Sequence, residues 1–169
     1  ELREQCEVLT QVMDVADTEQ CLKLLKKAEA KFGQVHVLIN NAGMHARGDL
    51  EKIDPADVAA MVDINLRAPM VLSCAAIPFL RKAGSGAIVM VGSLAGRAPL
   101  QGAVTYSGTK AGLRAFAYGL ADELKDANIN VFLDSDPLNV LQAKVTKFSY
   151  EPELTPANIL AYKVTGQLT

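Results

Sequence analysis

Cysteine, histidine, aromatic residues and a surplus of either charge are all scarce in this chain. Its 169 residues include three cysteines, two histidines, four tyrosines, five phenylalanines and no tryptophan. Cys6, Cys21 and Cys74 are far apart, form no CxxC pair and are odd in number. A disulfide framework is therefore not expected; reduced thiols fit a cytoplasmic protein. His36 and His45 lack metal-type spacing, and His36 lies inside an apolar run, so no metal site is expected. The net charge of −2 advertises no surface for nucleic acid or anionic lipid. No uninterrupted apolar run reaches the roughly eighteen residues of a membrane span, so no membrane partner is expected. The opening ELREQCEVLT has neither signal nor transit character, and it lacks a starting methionine.

Half of the residues are hydrophobic and 21% are charged, enough for one domain with a sizeable core. A single domain is expected over 1–169, its pattern weakening in a substrate-loop and C-terminal region over 134–169. Strand-like and helix-like segments alternate. EVLTQVM (7–13) reads as a short strand. In the helical pattern that follows, Asp17 is the candidate N-cap, Gln20 completes a capping box and Gly33 ends the helix. Leu22, Leu25, Ala28 and Phe32 form its apolar stripe. VHVLI (35–39), AIVMV (87–91) and INVFL (129–133) are apolar strands. Long helices are expected over 55–80, with Asp54 as cap and Pro55 at the first position, and over 106–125. Beyond 134 the pattern predicts a loop with a short helix, then a helix from Thr155 and Pro156. Strands alternating with helices imply parallel βαβ units, and strands apolar on both faces imply a sheet covered on both sides. The fold class is α/β, a doubly wound parallel sheet.

In such sheets ligands bind beyond the carboxyl ends of the strands. Those ends are MDV (13–15), NNAG (40–43) and GS (92–93), each small or polar after an apolar run. Asn65 is a second anomaly, because it continues the apolar stripe of Val58, Met61, Val62 and Leu66. A buried asparagine must find hydrogen-bond partners. It reads either as a satisfied core amide or as a polar group held at the crevice. Tyr106 and Lys110, four apart on one helix, are neighbours. A phenol is a poor acid or base at neutral pH, and a fixed ammonium nearby favours its ionised form. With the Ser93 hydroxyl they would make an acid/base centre; the alternative is a solvated helix end.

The ordered set MDVAD, LINNAG, DINL, VGSLAG and YSGTK resembles the short-chain dehydrogenase/reductase family over roughly residues 7–133. The resemblance implies a Rossmann-like domain with helices on both faces of the sheet. It also implies that Tyr106 is the general acid/base of a carbonyl/alcohol pair. Lys110 would assist it and bond the nicotinamide ribose, Ser93 would hold the substrate oxygen, and Asn65 would anchor a relay behind Lys110. Asp14 and Val15 would meet the adenine, and Asn40, Ala42 and Gly43 would line the crevice of NAD or NADP, undecided between them. Met44, His45, Leu94, Ala95 and Leu100 would face a partly apolar substrate, a small carbonyl or alcohol. The family also implies a homodimer or homotetramer built on the two long helices.

Two family features have no counterpart in the sequence. The glycine-rich TGxxxGxG turn that cradles the pyrophosphate does not occur, and NVFLDSDPLNV stands where a Pro-Gly pair belongs. The segments match the family's strands 3 to 6, so strands 1 and 2 are expected to be missing. Further residues would then lie before Glu1 and between about Phe132 and Asp136. The space between 7–13 and 35–39 should be open. The alternative function is a catalytically inactive scaffold or weak nucleotide binder. An epimerase or dehydratase is a third reading, since extended relatives also use YxxxK.

Overall fold

The structure is a computed structural model that describes residues 6–133 and the strand segments 143–148, 153–154, 160–161 and 164–168. The chain divides into two compact units, Glu1–Ser135 and Asp136–Thr169.

The first unit holds a three-stranded parallel sheet in the order β1 (Val37–Asn40), β2 (Gly86–Met90), β3 (Ile129–Leu133). Val37 to Asn40 align with Ala87 to Met90, and Gly86 to Met90 with Ile129 to Leu133. Helix α1 (Thr18–Phe32) precedes β1. Between β1 and β2 the chain runs through α2 (Pro55–Val62), a π-helical turn (Asp63–Arg67) and α3 (Ala68–Lys82). Helix α4 (Val104–Leu124) joins β2 to β3. These are the expected βαβ crossovers.

Local chemistry accounts for the helix ends. The Asp17 carboxylate accepts from the Gln20 amide at 3.1 Å, and Asp54 accepts from the Ala56 amide at 2.8 Å ahead of Pro55. Gly33 ends α1 at φ 81°, its N–H on the Glu29 carbonyl. The capping box forms with a different partner. The Gln20 side chain donates to the Asp17 carboxylate at 2.8 Å, and its carbonyl accepts from the Asp14 amide at 3.4 Å.

One core cluster joins the sheet to its helices. Leu25 of α1, Ala76 and Leu80 of α3, and Leu113, Ala117, Leu120 and Leu124 of α4 pack with Ile88, Met90, Ile129 and Leu133 of the sheet. Of the expected α1 stripe, Leu25 is buried and Ala28 half-buried, whereas Leu22 and Phe32 are exposed and Cys21 is buried beside Leu25 instead. On the sheet's other face Val37 and Ile39 are 53% and 61% exposed. That second cover is not among the described residues. The 55–82 helix has the length and apolar composition of a membrane span. Its Ala76 and Leu80 nonetheless belong to the core beneath it.

Residues 7–13 do not form the expected strand. Among the described residues they have no ladder partner, and β-propensity alone does not make a strand. The segment is held along α1 instead, by Lys31 Nζ on the Val8 carbonyl (3.1 Å), a Lys31–Glu7 ion pair (3.3 Å) and Lys27 Nζ on Gln11 Oε1 (2.5 Å). Between this segment and β1 lies an open cleft of about 340 Å³, lined by Gln11, Met13 and Val15 on one side and Leu38 to Ala42 on the other. The expected open space is there, and 7–13 does not pair with β1.

In the second unit, antiparallel β4 (Ala143–Phe148) pairs with β7 (Val164–Leu168), and β5 (Glu153–Leu154) with β6 (Leu160–Ala161). This corrects the expectation of a loop with a short helix followed by a helix from Thr155. Val145, Val164 and Thr165 are β-branched and sit in a ladder here, with Thr146 at its irregularity. Thr155 and Pro156 lie outside the described residues, as does the junction after Leu133.

Candidate active site

The π turn at 63–67 organises the site. Pro69 has no N–H for the Asn65 carbonyl four residues back, and its ring crowds that carbonyl. The ladder widens, and the Ala68 amide reaches the Asp63 carbonyl instead. Asn65 is 1% exposed. Its Oδ1 accepts from the Met44 amide at 2.8 Å, and its Nδ2 donates to the Met44 carbonyl at 2.8 Å and to Thr109 Oγ1 at 3.3 Å. Both donors of the amide are used, which fixes its orientation. Thr109 Oγ1 donates in turn to the Tyr106 carbonyl at 2.8 Å. The anomaly in the apolar stripe is thus a clasp from the long helix to the loop after β1 and to the start of α4.

Glycine makes the close approaches possible. A Cβ on Gly43 would lie 3.3 Å from Asn65 Oδ1. One on Gly96 would lie 2.7 Å from the Lys110 carbonyl oxygen, so only glycine lets the turn Leu94–Gly96 press against α4. That contact sets the β2 loop, with Ser93, beside the tyrosine helix. Ser93 is extended (φ −168°), and its Oγ accepts from the Ala95 amide at 3.2 Å.

Lys110 is 6% exposed, and its Nζ donates to the Val91 carbonyl at 2.6 Å. A buried ammonium needs such partners. It lies 5.8 Å from the centroid of the half-buried Tyr106 ring. His45 meets that ring edge-on, with centroids 4.4 Å apart at 72°. Leu94 and Leu100 are exposed near this end of α4; the Leu100 amide donates to Ser107 Oγ at 3.2 Å. Ala95 is buried, at 2% exposure.

The residues expected at the dinucleotide divide. Val15, Asn40 and Ala42 line the cleft, whose volume is in the range of small-molecule sites. Asp14 is exposed; its carboxylate accepts from the Ala16 amide at 2.8 Å. Asn40 is 7% exposed and turns inward, its Nδ2 on Ser73 Oγ (3.2 Å) and Met90 Sδ (3.3 Å), while its Oδ1 is buried without a hydrogen-bond partner. Sequence reasoning did not single out Thr109, Ser73 or Gly96. Thr109 was within reach of it, since a buried Asn65 demanded a partner. Ser73 and Gly96 matter only through contacts distant in sequence. Among the described residues no cluster of histidine, cysteine and carboxylate side chains could hold a metal.

A family model described as short chain dehydrogenase matches residues 1–133. The chain belongs to the short-chain dehydrogenase family. It is similar to oxidoreductase BOA17 of Botryotinia fuckeliana, 37% identical over 119 residues, 70% of this chain and 43% of that protein. It is also similar to sulfoacetaldehyde reductase 2 of Chromohalobacter salexigens, 33% identical over 133 residues, 78% of this chain and 53% of that one. Among solved structures, a metagenomic short-chain oxidoreductase in complex with NADP has a TM-score of 0.73 at 29% identity, covering 78% of this chain and 60% of that chain. A short-chain dehydrogenase from Streptomyces avermitilis has a TM-score of 0.69 at 32% identity, covering 73% and 45%. The chain spans about half the length of the curated relatives it matches. The fold is the Rossmann-like one of this family, with a three-stranded parallel sheet among the described residues of the first unit.

The residues present would suit part of a nicotinamide dinucleotide, the cofactor that the resemblance implies: the cleft along Val15 and Ala42 is of small-molecule size. The glycine-rich turn for its pyrophosphate has no counterpart in this sequence.

Proposed function

We propose that this short-chain dehydrogenase interconverts a small carbonyl compound and its alcohol with NAD or NADP, and that Tyr106 moves the proton. The observation that carries this reading is the continuous link from Met44 through Asn65 and Thr109 to the Tyr106 carbonyl. This clasp joins the loop after β1 to the start of α4, the helix that carries both Tyr106 and Lys110. The bound nicotinamide supplies or accepts the hydride. Tyr106 donates its phenolic proton to the carbonyl oxygen in reduction and takes it back in oxidation. Lys110, held on the Val91 carbonyl, places positive charge beside the phenol. Ser93 hydrogen-bonds the same substrate oxygen and orients it. Proton transfer of this kind contributes about 10²–10⁴ in rate. His45, Leu94 and Leu100 give the substrate a partly apolar wall.

The widely spaced cysteines fit a cytoplasmic enzyme, and the family resemblance a homodimer or homotetramer. A second reading is a non-catalytic scaffold or weak nucleotide binder. A reduction assay on a carbonyl panel with NADH and NADPH separates the two. Turnover of any member supports the enzyme; binding without turnover across the panel supports the scaffold.

A further inference from the structure

The π turn carries a second clasp that the chemistry above does not use. Arg67 stands two residues after Asn65, and side chains two apart on a helix point to different sides. Asn65 holds the loop after β1, whereas Arg67 reaches the turn before α1. Its Nη2 donates to the Ala16 carbonyl at 2.5 Å and its Nη1 to Thr18 Oγ1 at 3.2 Å, spanning 51 and 49 residues of sequence. Its Nε donates to Asp63 Oδ1 at 2.7 Å, which orients the guanidinium from one helical turn away. Arg67 and Asp63 are both about 40% exposed, so their ion pair serves geometry more than energy.

The turn that Arg67 grips is otherwise self-contained. Asp14 accepts from the Ala16 amide through its side chain and from the Asp17 amide through its carbonyl. Cys21 Sγ donates to the Val15 carbonyl at 3.3 Å. Every one of these partners lies within the turn or on the helix that follows it. Arg67 ties the turn to the helix packed on the sheet, and so to the far wall of the cleft, which Ile64, Ala68 and Leu72 help line. A lysine could satisfy one acceptor here; only the planar fork reaches both and still faces Asp63.

We propose that Arg67 is a positioning residue. By gripping the Ala16 carbonyl it holds Asp14 and Val15 where the adenosine end of the cofactor docks, so one π turn sets both ends of the site. This inference rests on the dehydrogenase reading above, under which residues 14 and 15 meet the dinucleotide.

The test compares the full chain with Arg67→Met, which keeps length and loses every donor, and Arg67→Lys, which keeps charge. NADH and NADPH titrations by fluorescence read binding, and turnover at saturating cofactor reads chemistry. Arg67→Met is expected to bind the preferred dinucleotide about tenfold more weakly, about 1.4 kcal/mol. Its kcat should stay within about twofold of the parent, the signature of lost binding that is uniform along the reaction. Arg67→Lys should recover part of the affinity, and amide exchange at Ala16 and Asp17 in cofactor-free Arg67→Met should quicken. Should Arg67→Met fail to fold, Arg67→Lys alone decides, with weakened binding at unchanged kcat expected. Parent-like affinity in the folded variants would overturn the proposal and leave the dehydrogenase reading intact. A parent chain that binds neither dinucleotide would overturn both.

Discussion

Replacing Asn65 by alanine tests whether its clasp holds the site together. The substitution removes three hydrogen bonds, to the Met44 amide, the Met44 carbonyl and Thr109 Oγ1. Each contributes about 1 kcal/mol net, and a buried group left without a partner costs about 1–3 kcal/mol. Met44 is half-buried, so water can reach some of what is exposed. The predicted loss is about 3 kcal/mol, a large part of the roughly 5–15 kcal/mol of a typical domain. Aspartate at 65 is the sharper probe. It still accepts from the Met44 amide but turns an acceptor toward the Met44 carbonyl. Burial and that repulsion favour its protonated form, so its folded-state pKa is raised. The variant should therefore be least stable at neutral pH and recover as pH falls toward the carboxylate range. Urea denaturation measures both, with the m-value as a check that the unfolded state is unchanged. An Asn65→Ala loss under about 0.5 kcal/mol, the range of ordinary surface changes, would refute the clasp.

Two further predictions concern the ends of the helices and their outer faces. The Gln20 side-chain and backbone bonds hold the Asp17 carboxyl below its ordinary 3.8. The folded value is depressed, so its stabilisation is present above 3.8 and lost as pH falls through the lower folded value. Amide exchange in the first turn of α1 should quicken there, and Asp17→Asn, an equally good cap, should abolish that dependence. Assembly is the other case. Ala111 and Ala115 of α4 are exposed, as are Val62, Cys74 and Pro78 on the 55–82 helix. A two-fold interface would cover this apolar surface. Light scattering at micromolar concentration should give a dimer or tetramer; a monomer would contradict it.

What the sequence revealed follows from which forces act locally. Strands β1 to β3 were legible as apolar runs, and the caps at Asp17, Asp54 and Gly33 as short-range chemistry. Residues 7–13 misled because strand propensity counts only beside a partner, and none is among the described residues. Segment 143–168 misled because a helical pattern at Thr155–Pro156 outweighed the β-branched residues around it. Asn65 announced itself as a polar residue in an apolar stripe. Arg67 did not, because its partners Ala16 and Thr18 lie some fifty residues away and an arginine on a helix looks like any solvated charge.

The central claim is that Tyr106 carries the proton, and Tyr106→Phe addresses it most directly. The change removes one hydroxyl from a half-buried ring and leaves the contact with His45, so the fold should persist by circular dichroism. On any carbonyl that the parent reduces, kcat should fall by about 10²–10⁴ with cofactor affinity nearly unchanged. A folded Tyr106→Phe protein turning over at the parental rate would contradict the account.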